Sequence, residues 1–121
     1  MNKLIMAFML AATTLVSHAH EATPKHGGIA KTAEDLQFEL VVQQQDATLY
    51  VEDHDEPVDT AMAKGKLTIL NGSKKTEVEL HPTGINQLEV KNVPQLKRGA
   101  KIIAHITLAN DKAVHVRFSI K

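Results

Sequence analysis

The chain contains no cysteine and no tryptophan, and only one tyrosine and three phenylalanines among its 121 residues. Without cysteine it can build no disulfide framework, no thiolate metal site and no cysteine nucleophile. So few aromatic rings leave little on which to stack sugars or bases. Charge of one sign is missing too, with 14 Lys and Arg against 14 Asp and Glu. That balance gives no reason to expect nucleic acid or an anionic membrane surface as a partner. The sequence has no Gly-x-Ser-x-Gly, no His-Glu-x-x-His, no phosphate loop and no Gly-x-Gly-x-x-Gly. Paired carboxylates occur only in one acidic run with no sign of a substrate cleft, and the chain reads as something other than an enzyme.

The one long apolar run, Leu4 to Val16, follows the positive start Met1-Asn2-Lys3 and precedes Ser17-His18-Ala19. It is shorter than the ~20 residues a permanent span requires, and small residues stand where a signal peptidase reads. Residues 1–19 are therefore expected to be a cleaved secretory signal. The mature protein is then His20–Lys121, exported to the periplasm and outside the membrane. Loss of Lys3 leaves 13 cations against 14 acids, a net charge of −1 with histidine neutral. Met62 is the only methionine left, so a bound metal should suit nitrogen and oxygen donors: Cu(II), Zn(II), Ni(II) or Co(II).

What remains has room for one domain. Residues 20–35, with Pro24, Gly27 and Gly28, read as a flexible leader ending in a first edge strand near Gly28–Lys31. Residues 36–121 read as the folded domain. Leu36, Phe38, Leu40 and Val42 alternate with Gln37, Glu39, Val41 and Gln43, the period of a half-buried strand. Gln44 to Ala47 reads as a turn, and Leu49 and Val51 point inward from the next strand. Further inward sets are Leu67 and Ile69, Val78 and Leu80, and Leu88 and Val90. The C-terminal pair runs Ile102, Ala104, Ile106, Leu108 and then Val114, Val116, Phe118, Ile120. Asn71-Gly72 signals a hairpin, His81-Pro82-Thr83-Gly84 a second turn, and the segment around Pro94 a loop. No segment holds a helical period. About seven strands predict an all-β fold, an antiparallel β-sandwich of immunoglobulin-like type, with a small closed barrel as the alternative.

Six histidines survive removal of the signal, His20, His26, His54, His81, His105 and His115, none at an inward position. Glu52, Asp53, Asp55, Glu56 and Asp59 crowd around His54 on a loop ending a strand, which suits a divalent cation but equally a solvated charged turn. His20, as a mature N-terminal residue, would offer its amine and ring to one ion, and His26 lies six residues on. If Ala109-Asn110-Asp111 is a three-residue hairpin loop, His105 falls opposite His115, with Cβ atoms ~5 Å apart; with a five-residue loop His105 faces Arg117 instead, and the two histidines are unrelated solvent-facing side chains. His81 reads as a turn residue.

The segments His26-Gly27-Gly28, Phe38-Glu39-Leu40-Val41, Leu49-Tyr50-Val51-x-Asp53-His54 and Pro57-Val58-Asp59-Thr60, with the C-terminal hydrophobic hairpin, carry a likeness. Over most of His26–Lys121 the chain resembles a family of small exported bacterial proteins, related to the N-terminal part of periplasmic adaptors of heavy-metal efflux pumps. The resemblance implies a periplasmic β-sandwich that is accessory to metal efflux or tolerance, with an efflux component as a partner. In that family Gly often follows the Asp-His pair where this chain has Asp55-Glu56, so no ligand role passes to those two. The candidate metal ligands are His26, His54, Asp53 and Glu39, with His20 as an extra. The competing expectation is a metal-independent interaction module that docks through outward aliphatics (Val41, Ile103, Leu70).

Overall fold

The computed structural model describes residues 22–121; the expected signal segment and His20 lie outside the described residues. Nine strands form: β1 (Ile29–Ala33), β2 (Leu36–Gln43), β3 (Asp46–Asp53), β4 (Glu56–Pro57), β5 (Lys64–Asn71), β6 (Lys74–Thr83), β7 (Gln87–Val90), β8 (Lys101–Thr107) and β9 (Ala113–Ser119). Among the described residues there is no helix. All pairings are antiparallel, along the path β1-β2-β3-β7-β6-β5-β8-β9, with the two-residue β4 attached to β3. The alternation expected from sequence does its work here, because each strand sends every second side chain into one shared interior.

The path folds into two layers, so the expected sandwich is present with two more strands than the pattern implied. One layer holds β1, β2, β3 and β7, and the other β5, β8 and β9. Strand β6 belongs to both. Residues Lys74–Asn71 through Leu80–Gly65 pair it with β5, while His81, Pro82 and Thr83 pair with Glu89, Leu88 and Gln87 of β7. The expected turn at His81-Pro82-Thr83-Gly84 is corrected: the strand runs on to Thr83, and His81 is an exposed strand residue. Pro82 is tolerated because it sits where β6 leaves one sheet for the other, away from a continuous central ladder. At the far ends of the path, β1 and β9 lie side by side, and the sandwich is nearly closed into a barrel.

The interior is aliphatic. Phe38, Leu40, Leu49, Val51 and Leu88 from one layer meet Leu67, Ile69, Ile102, Ile106, Val114 and Phe118 from the other, all nearly inaccessible. Each such side chain contributes ~1.5–3 kcal/mol on leaving water, and with no disulfide this core is the fold's main support. Short turns fix the register. The turn expected over Gln44–Ala47 shrinks to two residues, because Asp46 pairs with Gln43 and Ala47 with Val42. Asn71 belongs to its strand, pairing with Lys74, so Gly72 (φ 60°) supplies the positive φ of that hairpin. Ala109–Asp111 is a three-residue loop, closed by Leu108 N–H donating to Lys112 O at 2.9 Å.

Candidate functional site

Strands β2 and β3 place Glu39 opposite Tyr50 and Gln37 opposite Glu52, all on the outward face of their sheet. An outward glutamate should be wet, yet Glu39 is only 6 % exposed. The leader causes this by crossing the outer face and laying its backbone on the carboxylate. Lys25 N–H donates to Oε1 at 2.9 Å, His26 N–H to Oε2 at 2.8 Å, and Gly28 N–H to Oε2 at 2.8 Å. The His26 ring adds Nδ1 at 2.9 Å from Oε1. Burial alone pushes the Glu39 carboxyl up, but the bonds from the Lys25 amide, the His26 ring and the Gly28 and His26 amides outweigh it. They hold the group below the usual carboxylate range.

Gly28 makes this close approach possible, since a Cβ there would collide with the Leu40 carbonyl oxygen and the Val41 side chain. The His26 ring lies flat on the Tyr50 ring, centroids 3.8 Å apart and 3° from parallel. Beyond it, the Lys25 ammonium reaches Glu52 at 2.7 Å and Asp55 at 3.2 Å. The bond to Glu52, followed by that to Asp55, holds the ammonium above its ordinary value. Lys25 thus ties the leader to the acidic turn.

That turn has a conformational explanation. Asp53 pairs with Glu56, and the two residues between them, His54 (φ 49°) and Asp55 (φ 67°), both adopt positive φ. A two-residue hairpin with positive φ at both centres is the type I′ geometry, which His and Asp tolerate better than most residues. The amide of His54 donates to Gln37 Oε1 at 2.9 Å, and its ring Nδ1 lies 2.6 Å from Asp53 Oδ1. Between the leader and this turn lies a cleft of about 350 Å³, lined among others by Lys25, Glu39, Tyr50, Glu52, His54 and Asp55.

Of the five candidate ligands, the structure thus joins His26 to Glu39 and His54 to Asp53, while His20 lies outside the described residues. Among the described residues no group of three or more His, Asp or Glu side chains is arranged to hold a metal ion. The Glu39 oxygens are already occupied by leader donors, so in this conformation the carboxylate anchors and orients. Sequence reasoning missed Lys25, Gln37 and Tyr50 as members of the site, and had Glu52 only as one carboxylate of the acidic run. Register was the available signal, because the strands that put Glu39 outward also put these three strand residues beside it. The loop over Val58–Ala63 is tied to the start of β7 through Thr60, fully buried, whose hydroxyl donates to Gln87 O at 3.0 Å. No protein-family model, no curated protein and no solved structure matches this chain.

Proposed function

We propose that this is a periplasmic metal-binding protein, accessory to heavy-metal efflux or tolerance, which buffers or hands over a divalent ion at the leader–turn cleft. The observation that carries the reading is the state of two imidazoles. His26 and His54 each have Nδ1 on a carboxylate, Glu39 at 2.9 Å and Asp53 at 2.6 Å. A carboxylate on one ring nitrogen fixes the tautomer, raises the basicity of the other nitrogen and aims it as a ligand. Glu39 and Asp53 are accordingly orienting groups, His26 and His54 the ligands through Nε2, and His20 a third donor. A site of two neutral imidazoles and water would be open and reversible, which suits transfer better than storage.

Titration of Cu(II), Zn(II) and Ni(II) into the purified protein by calorimetry tests this. A His26→Ala/His54→Ala variant should bind one equivalent fewer. Unchanged stoichiometry and affinity in that variant would remove the metal from the reading. One observation favours the interaction module instead. Met62 and Ile85 are 77 % and 74 % exposed, on loops joined by Thr60 N–H donating to Ile85 O at 3.1 Å. Exposed apolar side chains brought together in this way suit a docking contact. Capture of an efflux component that persists in chelator and is lost in a Met62→Ser/Ile85→Ser variant would favour that reading.

A further inference from the structure

On the opposite outer face of the sandwich, β8 and β9 place His105 directly across from His115. Their Nδ1 atoms are 2.8 Å apart, with the rings at 90° to each other and centroids 4.7 Å apart. The register is held by the three-residue turn, where Asp111 adopts φ 63° and its N–H donates to Leu108 O at 2.9 Å. Two imidazole nitrogens bound to one ion at ~2.05 Å are about 2.9 Å apart at a right angle and about 3.3 Å apart at the tetrahedral angle. The observed spacing lies next to the right-angled value. We propose that His105 and His115 form a bidentate site for a tetragonal divalent ion, Cu(II) above all, with water completing the coordination.

Two features support it. The two ligands stand on adjacent hydrogen-bonded strands, so closing the chelate orders almost nothing new. His105 Nε2 lies 3.2 Å from the Thr68 hydroxyl on β5, a bond that pins the ring and, with Nε2–H donating, leaves Nδ1 as the ligand. Cu(II) leads because it has the highest affinity of the divalent ions for nitrogen donors and prefers right-angled ligand pairs. The site is independent of the leader cleft, which lies on the other sheet.

Paramagnetic broadening of amide signals during Cu(II) titration tests this on the unmodified protein. Broadening centred on residues 104–106 and 114–116 is the expected result, whether or not the leader also broadens. Its absence from those residues would overturn the proposal, even with strong broadening at Lys25–His26 and Asp53–Asp55. In a His26→Ala/His54→Ala background one Cu(II) equivalent should remain. Loss of an outer-shell partner costs ~10–100-fold in affinity, so Thr68→Val should weaken that equivalent by about that much and His105→Ala or His115→Ala by at least about 100-fold. A remaining equivalent that is indifferent to His105 and His115 would overturn it as well.

Discussion

Replacing Glu39 by glutamine keeps the side chain's shape and removes its charge, and this should release the leader. The carboxylate accepts from three backbone amides and one imidazole. Hydrogen bonds to a charged acceptor contribute ~1.5–3 kcal/mol each and neutral ones about 1. Glutamine retains one acceptor oxygen and turns an NH₂ group toward at least one of the amides, so the replaced oxygen meets donor with donor. The local loss is then about 2–4 kcal/mol. What still holds the leader is the His26–Tyr50 stack, about 0.5–1.5 kcal/mol, and the solvent-screened Lys25–Glu52 pair, which adds little. These remaining contacts are smaller than the loss.

Amide hydrogen exchange reads the result directly. In Glu39→Gln, protection at Lys25, His26 and Gly28 should fall by ~30- to 900-fold, the equivalent of 2–4 kcal/mol, while core amides of β8 and β9 hardly change. The sign of the pH effect follows from the depressed Glu39 value. The clamp contributes fully above the ordinary carboxylate pKa of ~4.3 and is lost as pH falls through the lower folded-state value. Chemical shifts of the three leader amides should therefore move in acid in the wild type and stay nearly flat there in the variant. Unchanged protection in Glu39→Gln would refute the claim that this carboxylate holds the leader down.

Other perturbations separate the leader from the core. Gly28→Ala should free the same amides with Glu39 intact, because its Cβ cannot sit beside the Leu40 carbonyl; exchange at Lys25 and His26 measures it. Thr60→Val leaves the Gln87 carbonyl without its hydroxyl donor and should cost ~1–3 kcal/mol, seen as a lower urea midpoint at constant slope. Leu88→Ala, at a fully buried β7 position, should cost ~2–5 kcal/mol and lower the Tm by roughly 10–30 °C in a scan by circular dichroism.

The strands were legible because alternation is a local property of the chain. β2, β8 and β9 follow it almost residue for residue, whereas the pairing of His105 with His115 depended on a loop length that the sequence left open and the structure sets at three residues. Other features were not legible. Strand β6 runs through His81-Pro82 to pair with β7 just beyond, and the turn chemistry of Pro82 and Gly84 hid that extension from the pattern. Glu39 alternates outward like any solvated glutamate, and its burial comes from a leader segment eleven to fourteen residues upstream. The pairing of β3 with β7 joins segments far apart in the chain, which periodicity does not encode, and the two-residue β4 is too short to show a period.

The same distinction between local and distant causes decides which histidine carries the functional argument. The acidic run around His54 drew attention because so many potential ligands crowd together, but a type I′ turn already asks for residues such as His54 and Asp55 at its two positive-φ centres. Its composition therefore has a sufficient conformational reason. His26 has a reason of another kind, since its ring helps hold the leader through Tyr50 and Glu39. The leader could dock through its amides alone, yet its imidazole is laid flat on Tyr50 and bonded at Nδ1 to a buried carboxylate. The ring is still 40 % exposed, and Nε2 has no bond among the described residues. Held at two points, with Nε2 facing outward, this ring is the oriented candidate ligand of the proposed site. The reading of this face consequently depends more on His26 than on the carboxylates that first suggested it.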